Sequence, residues 1–211
     1  MIYTCAGYGL GDCWAGIMWS IDLALRTSMP TSLSVLRMGG KHCGASERKY
    51  EEIIPLVKGG NLVRLTHEEP GAEKNWRDVY QAPYQPTFIR PAEKRDRAVA
   101  YQFDGKSHKE KLCPNDEAML ILRTLEEKGY ELVRLGDQGD LKENLERASR
   151  CEFFVGVDSG FAHLMLSLGV DVHMIRNGRT VANIREETYP DKEFALYENA
   201  ETLVKEKLCE L

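Results

Sequence analysis

The sequence predicts an α/β fold made of two small Rossmann-like units, each a parallel β-sheet with helices around it. Short apolar runs alternate with stretches whose apolar residues recur at helical spacing, as the strands and helices of such units do. Turns that contain glycine join several of these runs to the helix that follows. The alternation stops over residues 68–97 and then starts again, so we expect one unit over residues 1–96 and a second over residues 97–211.

The composition allows a folded core and argues against some classes of protein. The chain has 211 residues, of which 43% are hydrophobic and 29% charged, enough to bury a core. Its net charge of −5 argues against a dedicated polyanion-binding protein. No apolar run approaches the roughly 20 residues that span a bilayer, and the first residues lack the basic start of a signal peptide. The six cysteines are scattered without the spacing of a metal site, so we expect reduced thiols, a cytoplasmic protein and no bound metal.

The first unit opens with a buried strand over residues 2–6 and a turn that contains Gly9 and Gly11. A helix is predicted over residues 13–26, where apolar residues recur at helical spacing. Glycines in this turn let a ligand approach the backbone closely, although the spacing G-x-G-x-G differs from the dinucleotide fingerprint G-x-G-x-x-G. Asp12 stands at the start of the helix, where an N-cap or a ligand-binding role fits.

The rest of the first unit continues the alternation. We predict a strand over residues 32–38, a helix over residues 46–57 with Ser46 as its cap, and a strand over residues 61–66. Pro55 should end or kink that helix, because proline lacks an N–H group and clashes with the preceding turn. Strands separated by helices favour a parallel sheet.

Residues 68–96 interrupt the alternation and are rich in proline, aromatic residues and arginine. Such a composition is typical of a linker between domains. The alternative is an acceptor-contacting loop, because aromatic rings and arginines stack on sugars or bases. The residues concerned include Trp76, Arg77, Tyr80, Tyr84, Phe88 and Arg90.

The second unit repeats the order of strand, turn and helix. Strands are predicted over residues 98–103, 131–135, 153–157 and 170–176, and helices over residues 114–128, 140–149, 161–168 and 201–208. Pro114 opens the first of these helices, as proline does at a first helical position, and Gly129 closes it. A polar loop rich in lysine, residues 104–111, follows the first strand.

The turn Asp158-Ser159-Gly160 joins the strand over residues 153–157 directly to a helix. A helix that begins at the carboxyl end of a buried strand points unpaired N–H groups out of the sheet. These groups and the helix dipole favour an anion, typically a phosphate. Asp158 and Ser159 also suit the N-cap of the helix, so a simple capped corner stays open as the alternative.

Two successive α/β units would bring the carboxyl ends of their strands to a cleft. The first unit would contribute the glycine turn and Asp12, and the second the lysine-rich loop and the Asp-Ser-Gly turn. A carboxylate that faces an anion site fits a base that faces a phosphorylated donor. In this interpretation Lys106, Lys109 and Lys111 neutralise a diphosphate leaving group, and His163 donates to the same phosphate. The alternatives are solvated loop lysines and a helix histidine with partners of its own.

Three short motifs resemble family 9 glycosyltransferases, the lipopolysaccharide heptosyltransferase-like enzymes. Residues 155–164 read V-G-V-D-S-G-F-A-H-L and resemble the D-S-G-x-x-H-L signature of that family. Residues 111–114 read K-L-C-P and are similar to its K-x-W-P segment. Residues 9–12 read G-L-G-D and are similar to its G-x-G-D turn. The motifs occur in the family's order and touch both predicted units.

The resemblance implies the GT-B architecture, in which two Rossmann-like domains enclose a cleft and the C-terminal domain binds a nucleotide-diphosphate sugar. It implies an inverting, metal-independent transfer of a sugar to an acceptor hydroxyl, with the nucleotide-sugar as co-substrate and no further cofactor. Asp12 would be the general base. The donor-binding residues that we expect, from the motifs and the strand ends together, are Gly9, Gly11, Lys106, Ser107, Lys111, Glu143, Asp158, Ser159, Gly160 and His163.

The chain departs from the family pattern in several places. It is shorter than two full domains, Cys113 replaces the tryptophan of K-x-W-P, and Phe161 replaces the usual proline. Residues 175–180 lack the family's F-G-x-T turn. These departures leave the sugar, the nucleotide and the acceptor open. The acceptor is a glycan or a modified nucleic acid, such as the hydroxymethylated bases of phage-type DNA, and the acidic net charge counts against nucleic acid.

Two other classes of function stay open. A non-catalytic nucleotide-sugar-binding module would keep the anion site but would not need a carboxylate at Asp12. A hydrolase would use Ser159 as its nucleophile, but the sequence G-V-D-S-G does not match the G-x-S-x-G elbow of such enzymes.

Overall fold

The computed structural model describes residues 2–5, 9–36, 44–74, 97–104, 112–136, 140–176 and 194–211. The chain divides into two compact units, and each is built on a parallel sheet of its own. The first unit holds the described residues up to Lys74, and the second holds those from Arg97 onward. The α/β class with two parallel sheets is as predicted. The predicted domain boundaries and linker depend on residues 75–96, which lie outside the described ranges, and stay a prediction.

The first unit is a four-stranded sheet in the order β3-β2-β1-β4, with every neighbouring pair parallel. Its described elements are β1 (Ile2–Cys5), α1 (Leu10–Thr27), β2 (Thr31–Ser34), α2 (Gly44–Ile53), β3 (Val63–Thr66) and β4 (Ala72–Lys74). Helix α1 forms because Trp14, Ile17, Ile21 and Ala24 recur on one face, and all four are buried. The apolar face of α1 therefore supplies much of the core of this unit.

Three details of the first unit differ from the sequence prediction. Helix α1 begins at Leu10, before the predicted start, so the turn after β1 is shorter than expected. Helix α2 begins at Gly44, which rules out Ser46 as its N-cap. Strand β4 was not predicted, because its sequence A-E-K has no apolar alternation, yet it pairs with β1 at the edge of the sheet. The predicted break at Pro55 is confirmed, since a 3₁₀ turn over Ile54–Leu56 follows α2.

The second unit is a five-stranded sheet in the order β6-β5-β7-β8-β9, again with every neighbouring pair parallel. Its described strands are β5 (Ala98–Gln102), β6 (Glu131–Arg134), β7 (Phe153–Gly156), β8 (Asp171–Ile175) and β9 (Phe194–Tyr197). Its described helices are α3 (Asn115–Glu127), α4 (Leu141–Ser149), α5 (Gly160–Ser167) and α6 (Ala200–Glu206). Strand β9 was not predicted.

One hydrophobic cluster of the second unit lies between its sheet and two helices, α3 and α6. Val99 and Val155 from the central strands pack in one cluster with Ile121 and Leu125 from α3 and Leu203 from α6. Strand β7 is buried along its whole length, which explains why its sequence is a continuous apolar run. Glu117 of α3 also accepts a hydrogen bond of 2.8 Å from the N–H of Ala200, the first residue of α6. This bond fixes α6 against α3.

In each sheet the strand that comes first in the sequence has later strands on both sides, so the strand order changes direction there. In the first unit β1 has β2 on one side and β4 on the other, and in the second β5 has β6 on one side and β7 on the other. In open parallel sheets, ligands bind outside the carboxyl ends of the strands at such a reversal. The ends of β1, β5 and β7 are therefore the places where the fold favours a ligand. Among the described residues no helix is long and apolar enough to cross a membrane.

Candidate functional site

In the first unit, the residues after β1 hold a carboxylate by the backbone. Gly9 is the N-cap of α1, and its N–H donates a hydrogen bond of 3.0 Å to Oδ2 of Asp12. Asp12 is therefore the third residue of the helix. The N-cap role considered for Asp12 from the sequence is wrong. Gly11 lies between them and is buried. A Cβ atom on Gly9 would lie 2.9 Å from Oδ2 of Asp12, so glycine leaves room for this contact.

The position of Asp12 suits a negative charge. The helix dipole stabilises an anion in the first turn, and the bond from Gly9 orients the carboxylate. The side chain is half-buried at the carboxyl end of β1. Asp12 is thus a positioned carboxylate at the strand end where a ligand is expected.

In the second unit, Ser159 is the N-cap of α5, with an extended backbone and no hydrogen bond from its side chain to the helix. Its Oγ atom is buried and has no hydrogen-bond partner within the described ranges. The N–H groups of the first turn have no acceptor inside the helix, so a cap, water or a ligand must supply one. The alternative considered from the sequence, in which the Ser159 hydroxyl caps the helix, is therefore wrong. The turn at Gly160 keeps the features of an anion site.

Asp158 and His163 lie against each other behind this turn. Only 8% of the Asp158 side chain and 2% of the His163 side chain are exposed, and Nε2 of His163 lies 3.8 Å from Oδ1 of Asp158. The imidazole is thus a buried neighbour of the carboxylate. Whether His163 also donates to a phosphate stays a prediction.

Glu143, the predicted acidic contact to the donor, is exposed in the first turn of α4. Its N–H donates to Oδ1 of Asp140, the N-cap of that helix, at 2.8 Å. The next residue, Asn144, is buried instead, and its Oδ1 accepts a 3.1 Å hydrogen bond from the N–H of Gly136. The Asn144 side chain therefore fixes the backbone at Gly136, just after β6. The donor-binding role of Glu143 stays a prediction.

Lys106, Ser107 and Lys111 lie outside the described residues. The segment that follows them is anchored by Cys113, whose N–H donates a 3.0 Å hydrogen bond to the carbonyl of Phe103, just after β5. The Cys113 side chain is buried in the core of the second unit. Burial raises its pKa to about 12, with a further contribution from the carboxylates of Glu117 and Asp116. Cys113 therefore remains a neutral thiol at physiological pH.

One residue at this edge was not predicted from sequence. Gln102 ends β5 and is 7% exposed, and its Oε1 is buried without a hydrogen-bond partner in the part of the chain that the structure describes. Its Nε2 would lie 3.1 Å from a Cβ atom on Gly136. A polar residue that ends an apolar strand at its carboxyl end is the sequence signal that marks this position.

No metal site is found in the described ranges, which contain no group of three or more His, Cys, Asp or Glu residues placed to hold a metal ion. The metal independence implied by the family resemblance stays a prediction.

The fold consists of two Rossmann-type α/β units and is GT-B-like, as predicted. Similar solved structures are heptosyltransferases of E. coli. One is the dodecameric, iron-containing glycosyltransferase TibC of enterotoxigenic E. coli H10407, with a TM-score of 0.60, 12% identity and coverage of 82% of this chain and 57% of TibC. TibC in complex with ADP-D-β-D-heptose gives a TM-score of 0.57, with the same identity and coverage. The heptosyltransferase WaaC with ADP gives a TM-score of 0.53 at 9% identity over 99% of each chain.

This chain spans little more than half the length of TibC. No protein-family model matches the sequence, and no curated protein is significantly similar to it. At 9–12% identity the likeness to TibC and WaaC shows a shared fold. The resemblance to heptosyltransferases inferred from three short motifs is confirmed at that level.

Proposed function

We propose that the chain is a glycosyltransferase that moves a sugar from a nucleotide-diphosphate donor to an acceptor hydroxyl. The observation that carries the proposal is the turn before α5, where the Ser159 side chain makes no cap bond to the helix and its buried Oγ atom follows the buried Asp158 side chain. This turn lies at the strand reversal of a sheet whose fold is shared with heptosyltransferases.

In this proposal the diphosphate of the donor lies against the N–H groups that follow Ser159 and Gly160. The helix dipole and these N–H groups favour the negative charge. Lys111, as the motif resemblance implies, and Lys106 and Ser107 of the same loop would add contacts to the same phosphates. Asp158, with His163 beside it, would accept a hydrogen bond from a hydroxyl group of the donor, because a carboxylate is an acceptor and repels phosphate.

The reaction we propose is a direct displacement at the anomeric carbon. The acceptor oxygen bonds to that carbon while the bond from the carbon to the diphosphate oxygen breaks, and the nucleoside diphosphate leaves with the bonding electrons. A base must take the proton of the acceptor hydroxyl. We assign this role to Asp12, which the backbone of Gly9 orients at the end of β1. Asp22 on the same helix is less suited, because its carboxylate pairs with Arg26 at 2.8 Å.

A second candidate function is a nucleotide-sugar-binding module without catalysis. The hydrogen bond from Gly9 to Asp12 favours it, because this contact gives the carboxylate a capping role that needs no reaction. Turnover by the parent chain distinguishes the two functions, and replacement of the Asp12 carboxylate by an amide then tests whether Asp12 is the base.

Donor binding is the first test. TibC is solved with ADP-D-β-D-heptose and WaaC with ADP, so these two compounds are the first to titrate into the purified chain by calorimetry. We expect a nucleotide-diphosphate sugar to bind the parent chain. We expect Gly160→Val to abolish that binding with the thermal unfolding midpoint little changed, because a branched side chain would stand over the N–H groups. A folded Gly160→Val variant with the parent affinity would place the donor elsewhere. A parent chain that binds none of a panel of nucleotide-sugars would refute the proposed function.

A further inference from the structure

The carboxyl end of β5 carries a buried amide that the described fold does not satisfy. Gln102 is 7% exposed, and its Oε1 accepts no hydrogen bond within the described ranges. The backbone of the same residue is used, since its carbonyl accepts a 3.1 Å hydrogen bond from the N–H of Val157. A buried acceptor without a partner destabilises a fold, and each such group calls for an explanation. An apolar residue of the same size would avoid that cost.

Gln102 stands where the fold favours a ligand. Strand β5 has β6 on one side and β7 on the other, so the strand reversal lies at its carboxyl end. In the register of the sheet, Gln102 pairs with Gly156, two residues before Asp158. The amide and the turn proposed to bind the donor therefore belong to the same edge of one sheet.

The Gly136 backbone packs against Gln102 so closely that it leaves little room for a side chain at position 136. Gly136 has φ +92°, a conformation that other residues rarely adopt, and a Cβ atom there would lie 3.1 Å from Nε2 of Gln102. The same atom would lie 3.4 Å from Cε2 of Phe161, the second residue of α5. The Gln102 amide and the Phe161 ring thus both pack against the Gly136 backbone. Gly136 therefore adjoins the first turn of α5.

The chemistry of the orphan atom limits what it can bind. An amide oxygen only accepts hydrogen bonds, and the diphosphate within a nucleotide-sugar is fully ionised at neutral pH and has no hydrogen to donate. The atom needs an O–H or N–H group, which a nucleotide-sugar carries on its ribose, its base and its sugar. We propose that Gln102 is a specificity-determining residue that accepts a hydrogen bond from a hydroxyl or amino group of the donor whose diphosphate lies against α5. This inference rests on the proposed function.

The test uses Gln102→Met, which keeps the length of the side chain and removes the amide. We expect its resistance to urea to equal or exceed that of the parent, because the unsatisfied oxygen is gone. We expect its affinity for the nucleotide-sugar to fall roughly 10-fold or more, the effect of one lost hydrogen bond to a buried group. Calorimetric titrations of the parent and the variant with ADP, ADP-heptose and inorganic pyrophosphate measure the change.

The three probes separate the sources of the hydrogen bond. An equal loss of affinity for ADP and ADP-heptose would support a contact to the base or ribose. A loss of affinity for ADP-heptose alone would support a contact to the sugar. Pyrophosphate lacks these groups, and at an alkaline pH that removes its last proton it has no hydrogen to donate, so its affinity there should be the same in parent and variant. An equal loss for pyrophosphate would overturn the proposal, because the amide would then act only through the shape of the site.

Two further outcomes keep this inference apart from the proposed function. If the parent binds ADP or ADP-heptose and Gln102→Met binds both with unchanged affinity, this inference alone is overturned. If the parent binds no nucleotide-sugar, the proposed function fails and the inference fails with it. Should Gln102→Met not fold, Gln102→Asn withdraws the amide by one methylene. It should lose affinity in the same way, and full affinity in that variant would overturn the inference.

Discussion

The Nε2 atom of His163 lies 3.8 Å from the Oδ1 atom of Asp158, with both side chains almost completely buried in the second unit. A buried carboxylate is costly unless neighbouring groups compensate its charge. We therefore expect Asp158→Asn and His163→Gln to be strongly non-additive. A double-mutant cycle measured by urea unfolding should give a coupling free energy of roughly 0.5–3 kcal/mol.

The Arg48–Glu52 pair on α2 is the matched control for this cycle. Its atoms are closer, at 2.6 Å, but 75% of the Arg48 side chain is exposed. Solvent screens such a pair, so its coupling should stay below about 1 kcal/mol. A coupling for Asp158 and His163 no larger than that of the control would contradict the expectation that burial strengthens their interaction.

His173 should make the second unit sensitive to acid. Burial lowers its pKa to about 4, and the charge of Lys207 contributes in the same direction. An unfolded histidine titrates near 6.5, so between about pH 6.5 and 4 the unfolded chain binds a proton that the folded chain does not. This difference lowers the free energy of unfolding as the pH falls through that window, by up to roughly 3 kcal/mol, and has no effect above it.

The comparison that isolates His173 is parent against His173→Gln, unfolded in urea at several pH values from 4 to 8. The Nδ1 atom of His173 lies 3.3 Å from the hydroxyl of Tyr197, so a polar replacement keeps a partner for that group. The variant should lose less stability than the parent between pH 6.5 and 4. If the free energy of unfolding changes with pH in the same way for the parent and the variant, His173 does not titrate in this window.

Cys113 and Cys209 should differ sharply in reactivity. With a pKa of about 12, Cys113 is about one part in 10⁴ thiolate at pH 8, whereas Cys209 is exposed. Iodoacetamide should label Cys209 in the folded protein and Cys113 only after unfolding, as read by peptide mass spectrometry. In Cys209→Ser the Cys113 peptide should stay unlabelled. Labelling of Cys113 at the rate of Cys209 would contradict its burial.

The fully buried strands were predictable because they are continuous apolar runs. The run that ends at Gly156 and turns through Asp158 into α5 is the clearest example, and the structure has β7 and α5 there. Edge strand β4 was missed because A-E-K carries no apolar signal, and it forms only through its pairing with β1. A short strand of this kind depends on tertiary context more than on its own sequence.

The sequence was enough to predict where the site residues lie in the fold, but not which hydrogen bonds they make. The sequence located Asp158 and Ser159 at a strand end, but it could not tell that the Ser159 hydroxyl would make no cap bond. It located Asp12 near the start of α1, but not the bond from Gly9 that moves the helix start to Leu10. Gln102 carries no motif. Its importance rests on a missing partner, which only a three-dimensional arrangement reveals.

The Asp12 carboxylate is the base of the proposed reaction, and an amide in its place tests that role. Asp12→Asn keeps an oxygen that can accept the hydrogen bond from Gly9, so the stability of α1 and the affinity for the donor should barely change. An amide cannot take a proton from the acceptor hydroxyl, so turnover should fall by roughly 10²–10⁴ if Asp12 is the base. The measurements are the release of nucleoside diphosphate, with donor and acceptor present, and the free energy of unfolding in urea.

Two variants separate the chemical role of Asp12 from its structural one. Asp12→Ala removes both the base and the acceptor for the Gly9 N–H, so it should lose turnover and also about 0.5–1.5 kcal/mol of stability, the typical contribution of one hydrogen bond. Asp22→Asn removes a carboxylate that pairs with Arg26 on the same helix, so turnover should remain near that of the parent. If Asp12→Asn turns over within a few-fold of the parent, the carboxylate serves only to hold the start of α1. The role of this strand end would then be binding, because a base is the one function that the amide cannot perform.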